Sequence, residues 1–155
     1  MKLLISCFLC CISFFAQSQD HSAQKLANFN HTDGLALQGY DAVAYLKQGK
    51  AVKGKKDLGM VLFEGLQYRF SSFENKETFK KDPVTYIPQY GGWCAYAMGS
   101  DGSKVPVDPE TFKILDGKVY LFYNKFFNNT LKSWNKNEQS LKKQADINWH
   151  KIYSY

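Results

Sequence analysis

The sequence is poor in cysteine. Only four of its 155 residues are cysteines, and three of them, Cys7, Cys10 and Cys11, lie in an apolar stretch at the N-terminus. The fourth is Cys94. Once that stretch is removed, no disulfide can form within the rest of the chain, because a single thiol has no partner. A mechanism that needs two cysteines of one chain is excluded for the same reason.

A long apolar segment is also missing. The apolar run over residues 3–15 is shorter than the ~20 residues that a membrane span needs. It follows Lys2 and precedes the small-residue sequence of residues 16–18, an order typical of a cleaved secretory signal. We therefore predict a signal peptide over residues 1–18, export to the periplasm or the extracellular space, and no transmembrane anchor after cleavage. Lipoprotein processing at Cys7 is the alternative, although it leaves almost no apolar region ahead of that cysteine.

Dense basic clusters are absent as well. The formal net charge is +6, and the lysines are spread along the chain, with only Lys53, Lys55 and Lys56 close together outside isolated pairs. Such a distribution is typical of a solvated surface and argues against nucleic acid or an anionic membrane surface as a partner. The composition leaves a metal ion or a small molecule as the expected partner. The oligomeric state is not encoded in any pattern that we can identify.

The chain after the predicted signal is long enough for one domain with a single core. Residues 19–33 are polar and aperiodic, which predicts a flexible leader, and residues 34–155 form the predicted domain. His21 and His31 fall in the leader, where isolated histidines are typically exposed to solvent. We find no internal repeat, linker or low-complexity segment.

The domain is predicted to be α+β, with short hairpins interleaved with short helices. Two apolar runs over residues 58–70 flank Glu64-Gly65, and two more over residues 112–123 flank Asp116-Gly117. A two-residue turn with glycine in second place is a strong hairpin signal.

The predicted helices begin at recognisable caps. Asp41 is a suitable N-cap for a helix that runs through Lys47, and Ser71 with Glu74 forms a capping-box pattern. Asp82-Pro83 ends the second of these helices and opens a further short one. Apolar periodicity predicts two more helices near the C-terminus, over residues 124–134 and 137–153.

The candidate site lies between residues 82 and 102. Cys94 directly follows Gly91-Gly92, which allows a tight turn or a close backbone approach, and aromatic residues surround it in sequence. A tyrosine-rich pocket for a small molecule is one interpretation of these aromatics, and core packing is the other. The predicted pocket residues are Tyr40, Tyr86, Tyr90, Trp93 and Tyr96.

The chemistry of Cys94 has three interpretations. A thiolate is a good ligand for copper or zinc, but a tight site needs further donors. Residues 19–155 contain no C-x-x-C and no H-x-x-H, so those donors must converge from distant positions such as His150 and Asp41. A redox or nucleophilic thiol needs a lowered pKa and access, with His150 as a base partner in space. A buried structural thiol is the third interpretation.

Several motifs taken together resemble the YHS domain. They include Phe63–Ser72 and Phe79–Tyr86, and a wider pattern extends from Gly34 through the Gly-Gly-Trp-Cys sequence to Trp149. This combination is similar to the exported, single-domain YHS proteins of bacteria and covers nearly all of the chain after the predicted signal. Each motif alone is a weak signal.

The resemblance implies a limited set of functions. YHS domains are related to metal-handling modules in which cysteines stand in the stretch that corresponds to Ser71–Asn75, and this chain has none there. In the exported group the thiol follows Gly-Gly instead, and some members use selenocysteine at that place, which implies redox chemistry or soft-metal ligation for Cys94. The family has no established activity.

We therefore expect an extracytoplasmic protein that binds a soft metal, copper or another heavy metal, through Cys94. Two alternatives stay open. One is a thiol-based redox enzyme or sensor that uses the same residue. The other is a noncatalytic module that binds a ligand or a protein.

Overall fold

The computed structural model describes residues 22–153, which form an α+β fold of short strands and helices. The expected signal peptide lies outside the described residues. The helices are α1 (residues 22–28), α2 (Ala42–Gln48), α3 (Phe73–Lys81), α4 (Pro83–Tyr86), α5 (Ala95–Ser100), α6 (Thr130–Trp134) and α7 (Glu138–Ile152). The strands are β1 (His31–Thr32), β2 (Leu35–Ala36), β3 (Met60–Phe63), β4 (Leu66–Arg69), β5 (Asp108–Leu115), β6 (Lys118–Phe122), β7 (Asn124–Lys125) and β8 (Asn128–Asn129).

Both predicted hairpins are confirmed. Strands β3 and β4 pair in antiparallel fashion around Glu64-Gly65, whose φ angles of 46° and 81° are left-handed. Strands β5 and β6 pair in the same way around Asp116-Gly117, with φ angles of 52° and 71°. Positive φ at both central residues is the geometry of the tight turns that match the twist of paired strands. The first hairpin belongs to a four-stranded sheet of order β1-β2-β4-β3, in which β2 runs parallel to β4.

The predicted caps are confirmed for α2 and shifted by one residue for α3. The Asp41 carboxylate accepts hydrogen bonds from the backbone at the start of α2, and Gly49 ends that helix with a φ of 62°. The N-cap of α3 is Ser72, whose hydroxyl accepts from the Asn75 amide at 3.1 Å. Ser71 does not cap this helix, because its own hydroxyl and amide both bind Asp41.

The prediction of a helix over residues 124–134 is wrong in its first half. Residues 124–129 form the β7–β8 hairpin, and helix α6 begins only at Thr130. The side chain of Asn129 accepts a hydrogen bond from the Leu131 amide and caps α6. Asparagine has a low helix propensity and favours caps, so the two adjacent asparagines stop the helix from extending backwards.

The predicted flexible leader over residues 19–33 is also corrected for the part that the structure describes. Residues 22–28 are helical, and Lys25 and Phe29 are buried. The Phe29 ring packs edge-on against Trp149 and Tyr153, at centroid distances of 5.5 and 5.1 Å. The contacts of this ring fix the segment against the core, although its local sequence alone does not predict an ordered structure.

The core is dense in aromatic residues and includes the second hairpin and the C-terminal helices. The rings of Tyr120 and Phe122 pack against Trp134, which is fully buried. Helix α5 approaches α7 so closely that a Cβ atom on Gly99 would lie 2.4 Å from the Leu141 carbonyl oxygen. No helix among residues 22–153 is long and apolar enough to span a bilayer.

Candidate functional site

A left-handed turn delivers Cys94 into the core. The φ angles of Tyr90, Gly91 and Gly92 are 56°, 59° and 79°, and the chain then turns extended through Trp93. Cys94 is the N-cap residue of α5, and its backbone amide donates to the Val105 carbonyl at 3.0 Å. This turn and this hydrogen bond position the thiol in the core, where its accessible surface is zero.

The buried thiol has two polar neighbours. Its Sγ lies 3.4 Å from the Thr130 hydroxyl and accepts a hydrogen bond from the Tyr123 backbone amide, also at 3.4 Å. The Thr130 hydroxyl donates its own proton to the Tyr123 carbonyl at 2.9 Å. Because that proton is already committed, the thiol is the donor to Thr130. Cys94 therefore donates one hydrogen bond and accepts another, an arrangement that suits a structural thiol.

The predicted donors for a metal at Cys94 lie in other surroundings. Asp41 is fully buried at the start of α2, where its carboxylate accepts five hydrogen bonds, two from the α2 backbone and three from Ser71 and Asn75. His150 is exposed in the last turn of α7. Among residues 22–153 no group of three or more histidine, cysteine, aspartate or glutamate side chains could hold a metal ion. The structure does not bring the three predicted ligands together.

The predicted tyrosine pocket is not assembled either. Tyr40, Tyr86 and Tyr90 are buried in the core, and the hydroxyl of Tyr40 donates to Glu110 at 2.7 Å while that of Tyr90 donates to Asp146 at 2.9 Å. Burial and then these carboxylates raise the pKa of both, that of Tyr40 to about 12. These tyrosines pack and anchor the core.

The two remaining aromatic candidates are half-buried. The indole nitrogen of Trp93 donates to the Asn28 carbonyl at 2.6 Å, and Tyr96 packs against the core from α5. None of the five predicted pocket residues lines the groove that Pro88 borders.

That groove has a volume of about 580 Å³ and lies beside the predicted site. Five parts of the chain form its walls: Lys25 of α1, Glu64 of the β3–β4 turn, residues 84–89 in and after α4, the turn of the β5–β6 hairpin, and Tyr153. Its lining is mixed, with apolar side chains between charged ones. The lining residues are Lys25, Glu64, Val84, Thr85, Ile87, Pro88, Gln89, Asp116, Gly117, Lys118 and Tyr153.

An ion pair between a buried lysine and a partly exposed glutamate lines part of the groove. The ammonium group of Lys25, a residue with only 3% of its surface exposed, contacts the Glu64 carboxylate. The same ammonium faces the rings of Phe63 and Phe29, 4.9 and 5.2 Å from their centroids. Aromatic faces attract a cation, so the two rings and the carboxylate together hold the buried ammonium group in place.

The lining also includes charged side chains from the second hairpin. Asp116 and Lys118 flank the exposed hairpin turn and make no side-chain hydrogen bond or ion pair with any described residue. Ile87 and the buried Pro88 lie on the apolar part of the wall. The groove thus presents a positive and a negative group beside an apolar surface, and no histidine or cysteine lines it.

Sequence reasoning missed this groove because its walls are far apart in the chain. Lys25 and Glu64 come from the predicted leader and the first hairpin turn, while Asp116 belongs to the second turn. The spacing of Leu26 and Phe29 on one helical face was the available signal that the leader could pack. No local motif signals the groove itself.

Comparison with known proteins adds no relative. No family model, no curated protein and no solved structure matches the chain.

Proposed function

We propose that this protein is a noncatalytic, extracytoplasmic binding module that takes a small amphipathic molecule into the groove beside Pro88. The observation that carries the proposal is the groove itself. Its volume of about 580 Å³ lies within the range of roughly 300–1,000 Å³ that is usual for small-molecule sites. Export follows from the predicted signal, and the YHS-like assignment from the sequence motifs.

The lining favours a ligand with an apolar body and a charged group. Ile87, Pro88 and Val84 supply apolar contact, while the ammonium group of Lys118 and the carboxylate of Asp116 have no ion-pair partner among residues 22–153. A ligand anion would gain a charge-assisted hydrogen bond from Lys118. Lys25 and Glu64 already pair with each other, so neither charge needs a ligand as its partner.

Binding without chemistry fits the surroundings of the thiol. Cys94 is sealed from solvent and saturated by Thr130 and Tyr123, whereas a reactive thiol needs access. Soft-metal ligation by Cys94 stays a prediction that rests on the sequence resemblance. Redox use of the same thiol also stays a prediction that rests on the sequence resemblance.

The groove can be tested with the fluorescent anion 8-anilinonaphthalene-1-sulfonate and a fragment library followed by NMR shift changes. Thr85→Trp places a large ring from an exposed position into the groove, and Thr32→Trp is the matched control from an exposed position in β1. We expect saturable binding at one site, weakened about tenfold or more by the Thr85 change, which is ~1.4 kcal/mol of binding free energy. The control should leave binding unchanged.

The expected shift changes map to the groove walls, around residues 84–89 and 116–118. Lys118→Gln should weaken binding of the anionic probe more than binding of a neutral fragment, because only the anion contacts the ammonium group. Absence of any saturable binding, or equal binding by the Thr85 variant and its control, would contradict the proposal.

A further inference from the structure

The β7–β8 hairpin carries two fully exposed phenylalanines at its turn. The strands pair through Asn124 with Asn129 and Lys125 with Asn128, which leaves only Phe126-Phe127 as the connection. Their side chains are 89% and 111% exposed, more than any other large apolar residue that the structure describes. No described residue covers either ring.

The backbone of this turn is unfavourable for the residues it contains. The φ angles of Phe126 and Phe127 are 51° and 64°, a left-handed conformation that bulky residues rarely adopt. The three other hairpin turns among residues 22–153 have the same geometry and use Asp33-Gly34, Glu64-Gly65 and Asp116-Gly117. Turns of this kind favour asparagine, aspartate and glycine. Strained, exposed aromatics at such a turn point to a function there.

The surrounding sequence is entirely basic in its charged residues. Between Gly117 and Asn137 there are four lysines and no aspartate or glutamate. Lys125 adjoins the turn in β7, and Lys132 lies in α6, which follows β8 directly; both are exposed. An aromatic tip flanked in sequence by lysines is complementary to a surface that is negatively charged outside and apolar beneath.

We propose that the Phe126-Phe127 turn docks the protein onto an anionic phospholipid membrane. The two rings enter the boundary between headgroups and acyl chains, and the ammonium group of Lys125 lies among the lipid phosphates. Aromatic rings and basic side chains are the usual elements of such interfacial contacts. A convex tip suits a bilayer, which deforms around it, whereas a protein partner would have to supply a matching cavity.

The contact is reversible and sensitive to salt. One small apolar anchor gives only marginal membrane binding without a second attraction. The second attraction here is electrostatic, and it weakens as salt screens the lysines from the lipid charge. Binding therefore needs both the rings and an anionic lipid.

The test is vesicle flotation of the full chain with phosphatidylcholine vesicles that contain a third of phosphatidylglycerol. The key variant combines Phe126→Asn with Phe127→Gly, which installs the residues this turn geometry prefers, so the hairpin keeps its fold. Phe73→Ala is the matched control, because Phe73 is a phenylalanine of α3 that is 67% exposed. All variants share one N-terminus, so differences between them report on the tip.

We expect the double variant to lower vesicle partitioning by about tenfold or more, since it removes two aromatic anchors, and Phe73→Ala to leave it unchanged. Lys125→Gln should lower it by about fivefold, the effect of roughly one lysine near an anionic surface. Vesicles of phosphatidylcholine alone should bind weakly.

Four results would each overturn the proposal: no flotation of the unaltered chain, equal flotation of the double variant, an equal loss with Phe73→Ala, or equal binding to neutral vesicles. Size-exclusion chromatography of the same samples covers the remaining alternative. A dimer that depends on Phe126 and Phe127 and forms without vesicles would assign the tip to a second copy of the chain and overturn membrane docking.

Discussion

The side-chain amide of Asn75 donates a hydrogen bond of 2.7 Å to the carboxylate of Asp41, and this bond joins the first turns of α3 and α2. The carboxylate is fully buried and accepts four further hydrogen bonds from Ser71, Val43 and Ala44. Among the residues that the structure describes, only neutral groups donate to this carboxylate. A buried charge that is satisfied by neutral donors depends on all of them, because burial without partners is costly.

We therefore predict that Asp41→Asn destabilises the fold by about 3 kcal/mol. The substitution keeps the size of the side chain but replaces one acceptor oxygen by an NH₂ group that faces other donors. Urea unfolding measures the loss, with Asp57→Asn, at an exposed aspartate, as the control. A loss similar to that of the control would show that the cluster is not a stabilising element.

The Gly-Gly sequence before Cys94 gives a paired prediction. A Cβ on Gly91 would lie 2.7 Å from the Trp149 ring and 3.0 Å from that of Phe29, whereas a Cβ on Gly92 would meet nothing closer than 3.7 Å. Both residues have left-handed φ. We expect Gly92→Ala to lower the free energy of unfolding by about 1 kcal/mol through strain alone, and Gly91→Ala by about 1–3 kcal/mol more through overpacking. Equal losses would contradict the close packing seen at Gly91.

Burial of Cys94 predicts that its thiol reacts slowly with alkylating reagents in the folded protein. We expect iodoacetamide to label the peptide that contains Cys94 only as the protein unfolds, because the sulfur has no exposed surface in the native state. Mass spectrometry of labelled peptides across a urea series measures this. Thr130→Val should speed the labelling, since it removes the acceptor of the thiol proton.

The same residue tests the competing metal hypothesis. Copper content is compared for the unaltered chain and for Cys94→Ser. One equivalent of copper that the variant loses would contradict the structural assignment of the thiol and support soft-metal binding. Rapid labelling of the native protein without bound metal would support redox use instead.

Buried tyrosines predict a loss of stability at alkaline pH. Burial, followed by the charges of Asp146, Asp116 and Glu138, raises the pKa of Tyr120 to about 12. An unfolded tyrosine ionises near pKa ~10, so between about pH 10 and 12 the folded state keeps a proton that the unfolded state has lost. Stability is therefore complete below that window and falls through it, by about 1.4 kcal/mol per pH unit for each such tyrosine.

Urea unfolding at several pH values measures this slope. Tyr120→Phe should reduce the slope of unfolding free energy against pH by the contribution of one tyrosine. The slopes are compared rather than the free energies, because the substitution also changes packing at neutral pH. Absorbance of tyrosinate in the native protein provides an independent check. An unchanged slope would contradict the raised pKa of Tyr120.

The elements that could be predicted are those whose information is local. Glu64-Gly65 and Asp116-Gly117 fix their hairpins because few other residues tolerate that turn, and Asp41 marks the start of α2 by capping it. The turn at Phe126-Phe127 carries no such signal, since its residues contradict the geometry that they adopt.

The candidate sites could not be derived from local patterns. The neighbours of the Cys94 thiol, Tyr123 and Thr130, come from about thirty residues further along the chain. Lys25 lines the groove through contacts with the Glu64 carboxylate and the Phe63 ring, which lie about forty residues further along the chain. Such contacts depend on how the elements pack, and a single sequence carries no direct record of that packing.

The attachment of the early segment to the Gly-Gly turn has a practical consequence for shortened versions of the protein. The Asn30 backbone and side-chain amides donate to the carbonyls of Gly91 and Gly92, at 2.8 and 3.0 Å. A truncated chain that begins at residue 34 would lose these two hydrogen bonds and the Phe29 ring that packs on Trp149. The newly exposed indole would then favour aggregation. Expression boundaries should therefore be drawn upstream of Ser22.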